Sequence, residues 1–214
     1  MSENSLTNLE RALSQSKGKG GISSGPPGGP QMCGDIDMRI ARDGTWHYMG
    51  SPIGRKPLVK LFASVLKRGE AGEFWLITPA EMCRIKVDDA PFAAVEMRVE
   101  GTDRHQKLIF RTNIDEIVTA GPNNAIRVAI DPDTQEPAPY VMIRDGLEAL
   151  ITRSVFYDLV DLADLADLAD VADVADVADL ADVGEEGGRE QGGTSVMGVW
   201  SDGEFFEIGS ADDE

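Results

Sequence analysis

Apolar and polar positions alternate with two periods along this chain, and the places where the period changes predict its elements. Ile36, Met38 and Ile40 alternate with Asp37, Arg39 and Ala41, as a half-buried strand requires. The Asp43-Gly44 pair that follows is a hairpin signal, because Asp and Gly tolerate the positive φ angles of tight turns. The chain then returns through Trp46 and Tyr48. From Pro57 the period lengthens: Leu58, Leu61, Phe62, Val65 and Leu66 form a stripe at i, i+3, i+4 spacing. That stripe predicts a helix beginning at Pro57, with Lys67 and Arg68 against the negative end of its dipole and Gly69 as its stop. Short apolar runs at Phe74–Thr78, Met82–Val87, Phe92–Val99, Lys107–Arg111, Ala125–Ile130 and Tyr140–Arg144 are bounded by turn residues and read as strands.

The first hairpin is written more than once. Met142-Ile-Arg-Asp-Gly-Leu-Glu-Ala-Leu150 repeats Arg42-Asp43-Gly44, and Val199 to Gly209 carries the same central Asp-Gly in a closing hairpin. Leu147–Ile151 has helical propensity but is assigned as strand by analogy with the segment after Gly44. The stretches Ile53–Phe62 and Ile151–Val160 share Ile, Arg and three apolar positions at helical spacing. The expected fold is therefore α+β, built from two duplicated strand-hairpin-helix units.

Its expected organisation is a disordered Gly/Pro-rich tail over 1–31, an amino-terminal domain over 33–102 and a carboxy-terminal domain over 103–209. The last is interrupted by an acidic repeat and linker at 164–193. The second helix is expected to start near Arg153 and to run through the Asp-Leu/Val-Ala triplets to Val183. A three-residue period on a helix moves successive Asp residues by 60° around the axis, so no apolar face persists. The repeat reads either as a triplet expansion into solvent or as an acidic interaction arm.

Charge sharpens this division. The formal net charge is −18, of which nine Asp, three Glu and one Arg between Asp158 and Gly193 contribute −11, leaving −7 elsewhere. The acidity thus belongs to the insert, and it argues against duplex nucleic acid as a partner. Cys33 and Cys83 form no Cys-x-x-Cys pair and are expected to be reduced thiols, a single disulfide between them being the alternative. Neither a signal peptide nor a membrane-spanning run is visible, so a cytoplasmic location is expected.

Candidate chemistry is sparse. His47 and His105 have no second His or Cys at metal-ligand spacing, so neither a metal nor a cofactor is expected. No phosphate loop or dinucleotide fingerprint occurs, and Gly21-Ile-Ser-Ser-Gly25 imitates a nucleophile elbow inside linker sequence. Arg55 and Arg153 stand at matched places ahead of the two helices, where an Arg beside free backbone N–H groups suits an anion. The alternative is that each pairs with a carboxylate of the other unit. Tyr140, Arg144 and Trp46 would add aromatic and charged groups.

Several blocks in order (Gly34-Asp-Ile-Asp-Met, Arg42-Asp-Gly-Thr-Trp, Ser51-Pro-Ile-Gly-Arg55, Thr78-Pro-Ala-Glu81, Val87-Asp-Asp-Ala-Pro-Phe92, Pro139-Tyr140, Leu147 to Arg153 and Gly198-Val-Trp-Ser) resemble the bacterial family known as domain of unknown function 1285. The resemblance covers about Gly34 to Val160 and the last strand pair. It implies a duplicated α+β fold with a pleckstrin-homology-like carboxy-terminal half, and a ligand site between the halves for something nucleotide-like, with a signalling role. The family pattern matches at Arg55, Thr78, Glu81, Asp88, Asp89, Tyr140 and Arg153, whereas the Asp-Leu-Ala run departs from it. The expected function is a non-enzymatic module binding an anionic ligand through Arg55, Arg153, Tyr140, Arg144, Trp46, Thr78, Glu81 and Asp88. The alternative is a protein–protein adaptor that uses the pleckstrin-like sheet or the acidic arm; the oligomeric state stays open.

Overall fold

A computed structural model describes residues 29–131, 136–167 and 195–210. The described residues fall into two compact units: one up to Ala93 together with Arg144–Glu148, the other Ala94–Ile143 and from Ala149 onward.

The first unit is a six-stranded sheet. β1 (Gln31–Ile40), β2 (Trp46–Tyr48), β3 (Ser51–Pro52), β4 (Leu66–Arg68), β5 (Phe74–Ile77) and β6 (Glu81–Val87) lie in the order β3-β2-β1-β6-β5-β4. Only β1 and β6 pair in parallel; the other pairs are antiparallel. Met38 and Ile40 are buried while Asp37 and Arg39 face out, as the alternation predicts. Helix α1 (Lys56–Ala63) joins β3 to β4 and carries Pro57 in its first turn.

α1 is shorter than its stripe suggests, and it is rotated. Val59, Phe62 and Ala63 are its buried residues, whereas Leu58 and Leu61 remain half-exposed. Leu66, which extends the i, i+3, i+4 series, lies on β4, because Leu66–Arg68 pairs with Phe74–Leu76. A sheet partner outcompetes the five further residues of helix that a stop at Gly69 implied. Trp46 stacks on Phe62 at 6.1 Å between ring centroids, in the core with Met38, Ile40, Leu66 and Leu76.

A second six-stranded sheet contains β7 (Phe92–Glu100), β8 (Lys107–Thr112), β9 (Ile117–Thr119), β10 (Ile126–Ile130), β11 (Pro137–Arg144) and β12 (Leu147–Ile151), in the order β10-β11-β12-β7-β8-β9. Leu147–Ile151 is a strand, against its propensity. Helix α2 (Arg153–Val160) follows, with Val155 and Leu159 buried.

A three-stranded antiparallel sheet, β13 (Asp164–Asp167), β14 (Ser195–Ser201) and β15 (Glu204–Ser210), completes the second unit. Its closing hairpin falls where the third Asp-Gly predicts it. Ser201, fully buried, receives the Leu108 N–H and donates to the Ala120 carbonyl, fixing β14 within this unit.

Two expectations about the chain's last third change here. α2 ends at Val160 instead of running into the repeat, and Asp164–Asp167 is a strand paired with Ser195–Gly198. A strand needs no continuous helical face, and β14 supplies its ladder partners. The interruption expected at 164–193 therefore yields its first four residues to the sheet; 168–194 lies outside the described residues, as does the tail up to residue 28. With two eight-residue helices among the described elements, the described fold is mostly β, with less helix than the α+β class expected. Two similar six-stranded sheets are consistent with a duplication.

The cysteines also differ from expectation. The parallel pairing of β1 and β6 carries Cys33 to Cys83, with Cα atoms 5.2 Å apart, and the two are joined as a disulfide. Their fifty-residue separation concealed a contact that a parallel strand pair creates.

Candidate functional site

The three Asp-Gly turns are not alike. At Asp145-Gly146 and Asp202-Gly203 both residues take positive φ, giving two-residue turns whose twist suits a hairpin. At the first turn only Gly44 does; Asp43 instead accepts the Thr45 N–H at 2.8 Å, and that bond holds its carboxyl below the usual carboxylate range. The wider turn leads through β2 and β3 into Ile53-Gly54-Arg55, which delivers the chain to the start of α1.

At that start lies a groove of about 530 Å³, lined by Gly54, Arg55, Lys56, Pro57, Leu58 and Leu61. Arg55 occupies the N-cap position in extended conformation, and no side chain caps the helix there. Two cationic side chains, the positive end of a helix dipole and three apolar side chains thus share one concavity. Leu58 and Leu61 reach it because the buried stripe runs through Val59 and Phe62 instead.

The other candidates of the first unit have structural partners. Arg144 donates from Nη2 to the Ala63 carbonyl at 2.9 Å, at the end of α1, with its guanidinium 5.3 Å from the Phe92 ring centroid. Trp46 is 1% exposed, which leaves no ring face for a ligand to stack on. Thr78, buried, accepts the Ala80 and Glu81 N–H groups and donates to the Glu81 carbonyl, closing the turn between β5 and β6; Glu81 enters through its backbone. Asp88 receives Arg39 Nε at 2.9 and 2.8 Å on its two oxygens, and this guanidinium pulls its carboxyl below the usual range. Asp89 pairs with Arg42 at 3.2 Å.

In the second unit, Tyr140 is 8% exposed and lies opposite Arg127 on β10, whose guanidinium sits 4.2 Å from its ring centroid. Arg153 is the first residue of α2 and pairs with Glu136 at 3.1 Å. Thr152, in the N-cap position there, turns its hydroxyl to the Ala94 carbonyl. The matched arginines are therefore not equivalent: Arg55 lines a groove, and Arg153 is ion-paired within its own unit. Sequence reasoning missed Gly54, Lys56, Leu58 and Leu61. The signal was the Gly-Arg-Lys-Pro run, two cations between a residue without a side chain and a helix-starting proline.

Comparison with known proteins places this architecture. "Domain of unknown function (DUF1285), N-terminal domain" matches residues 28–90, and "Protein of unknown function (DUF1285), C-terminal domain" matches residues 91–175. The chain belongs to the DUF1285 family. A DUF1285 family protein from Silicibacter pomeroyi DSS-3, whose crystal structure is known, is 42% identical over 94% of this chain and 96% of its own, with a TM-score of 0.70. Another, from Shewanella baltica OS155, is 29% identical over 59% of this chain and 91% of its own, with a TM-score of 0.47. No curated protein matches. In this DUF1285 chain the described residues contain no group of three or more His, Cys, Asp or Glu side chains placed to hold a metal ion. They also contain no helix long and apolar enough to cross a membrane.

Proposed function

We propose that this DUF1285 protein is a non-enzymatic, cytoplasmic binding module that takes an anionic small molecule in the groove at the start of α1. Arg55 and Lys56 face the anion, and Pro57, Leu58 and Leu61 receive an apolar or flat portion of the same molecule. The observation that carries this reading is the groove itself, where cations and apolar side chains line one concavity beside a helix amino end. A nucleotide-like ligand satisfies both requirements, and binding it would serve a signalling role.

The test is a thermal-shift screen of nucleotides, cyclic dinucleotides and small carboxylates against the full chain. A ligand at a hundred times its dissociation constant adds about 2.7 kcal/mol to stability. The hit should vanish in Arg55→Ala and in Gly54→Leu. A Cβ at Gly54 meets nothing within 4 Å, so a larger side chain can be placed at the groove's lining there. A blank screen with folded protein, or a hit indifferent to both substitutions, removes the groove from consideration.

A second reading is a protein–protein adaptor using a pleckstrin-homology-like carboxy-terminal half. It draws support from β9, an edge strand on which Ile117 is 60% exposed. Partner capture abolished by Ile117→Lys but not by Arg55→Ala would favour it. The acidic arm is tested by deleting 168–194, which spares the strand Asp164–Asp167.

A further inference from the structure

We propose that Cys33 and Cys83 form a thiol–disulfide exchange site, a reversible latch that fastens the start of β1 to β6 and reacts with low-molecular-weight thiols. Three features carry this. First, the pair sits where the β1–β6 ladder is irregular: Met32 pairs with Met82 and Gly34 with Cys83, so Cys33 is the extra residue of a bulge. Gly34, at φ +76, lets the backbone re-enter the ladder. The bulge brings Cys33 to Cys83 at a Cα separation that a disulfide spans without moving the strands.

Second, the sulfurs differ in access. Cys33 is exposed, as are Gln31 and Met32 beside it, while Cys83 is 4% exposed within the core. An incoming thiolate therefore has one sulfur to attack. Third, both redox states are accommodated. Cys33 Sγ lies 3.4 Å from the Met82 carbonyl, an acceptor for its S–H once reduced. Cys83 as a thiol is a small apolar side chain suited to the core.

The exchange balances. A thiolate attacks Cys33 Sγ, the S–S bond breaks, and Cys83 leaves as thiolate and takes a proton from water. A second thiol molecule attacks the mixed disulfide on Cys33, releasing Cys33 thiolate and the small-molecule disulfide. Two electrons and two protons pass from two thiols to the protein pair, and the reverse sequence consumes the small-molecule disulfide as oxidant.

The experiment equilibrates the folded full chain in glutathione buffers of graded ratio, traps thiols by alkylation and reads intact mass. The expected result is one transition between zero and two trapped thiols, reached from either direction. In the reduced protein Cys33 should alkylate about tenfold faster than Cys83, following access. Amide exchange at residues 31–34 should rise about tenfold on reduction while the rest of β1 is unchanged. The variants separate the roles: Cys83→Ala should take one glutathione on Cys33, and Cys33→Ser should take none. A folded protein that keeps both thiols in excess oxidised glutathione overturns the proposal. So does one whose disulfide survives excess reduced glutathione, which would make it a fixed staple. Glutathione on Cys83 in Cys33→Ser would also overturn it.

Discussion

The two copies of the hairpin-helix motif differ most where their sequences agree best. Both place Arg-Asp-Gly before a strand and an arginine at the start of an eight-residue helix. In the first copy the turn is wide and tied by the Asp43 carboxylate, the arginine precedes the helix, and a groove opens at the helix start. In the second the turn is a tight two-residue one, the arginine is already inside the helix, and Glu136 holds it. A shift of one residue between N-cap and first helical position separates the arginine that lines the groove from the one that Glu136 holds. A repeated motif therefore repeats a scaffold, while the side chains that meet ligands are decided by what surrounds each copy.

The largest test of that view is core truncation in each copy. Phe62→Ala removes a fully buried ring stacked on Trp46 and should cost about 3–5 kcal/mol. Leu159→Ala in α2, also fully buried, should cost about 2–5 kcal/mol. Urea midpoints at constant slope measure both. If one helix tolerates truncation for well under 1 kcal/mol, it is not the structural equal of the other, and the duplicated-scaffold reading fails.

Acid should separate the two units next. Asp35, Asp43, Glu73, Asp88 and Asp145 are all held below the usual carboxylate range, and all five belong to the first unit. The first causes are hydrogen bonds, from Arg84 to Asp35, from Arg39 to Asp88, from Lys67 to Asp145, and from backbone N–H groups to Asp43 and Glu73. A carboxyl depressed in the folded state binds its proton more readily when unfolded. Its contribution is whole above the ordinary carboxylate range, roughly pH 4, and is lost as pH falls through the depressed folded values. Amide exchange at pH 7 and pH 3 should therefore show β1, β5 and β6 opening before β8 and β14. Earlier loss in the second unit would contradict the asymmetry.

How legible this was depends on where each partner lies. Hairpins were readable because Asp-Gly and its flanking strands are neighbours in the chain, and most strands fell within a residue or two of their apolar runs. The extent of α1 was not readable: Leu66 continues the helical stripe, and only pairing with Leu76 makes it a strand residue. β13 was hidden for the same reason, since its partner Ser195–Gly198 lies across the whole repeat. The groove was half legible. Arg55 was found from its place before a helix, but the exposure of Leu58 and Leu61 depends on a helix rotation set by the core beneath. Thr78, Asp88 and Arg144 matched as plausible ligand groups because a polar side chain reads the same in sequence whether it closes a turn, pairs with an arginine or ends a helix.

Arg144 sharpens the comparison at intermediate cost. It belongs by sequence to the second copy's turn, yet its guanidinium bonds the last carbonyl of the first copy's helix. A cation there satisfies a terminal acceptor and opposes the negative helix end. Arg144→Ala should destabilise by about 1.5–3 kcal/mol, in the range for hydrogen bonds to charged groups. Arg144→Lys should recover part of this, and a variant as stable as the parent would show that α1 needs no such end.

The smallest effect is also the most discriminating. Arg153 and Glu136 are 70% and 62% exposed, so their ion pair works in high dielectric and against side-chain entropy. Arg153→Ala should change stability by less than about 0.5 kcal/mol, in the range for exposed pairs. It should also leave untouched any ligand-induced shift that Arg55→Ala abolishes. Measured side by side at one ligand concentration, the two substitutions ask whether the arginines are functional twins. Equal loss of the shift would mean that Glu136 releases Arg153 to the ligand and that the duplication extends to the site. Loss in Arg55→Ala alone would mean that the second copy kept its arginine for an ion pair, because a residue one position further into a helix faces a different neighbour.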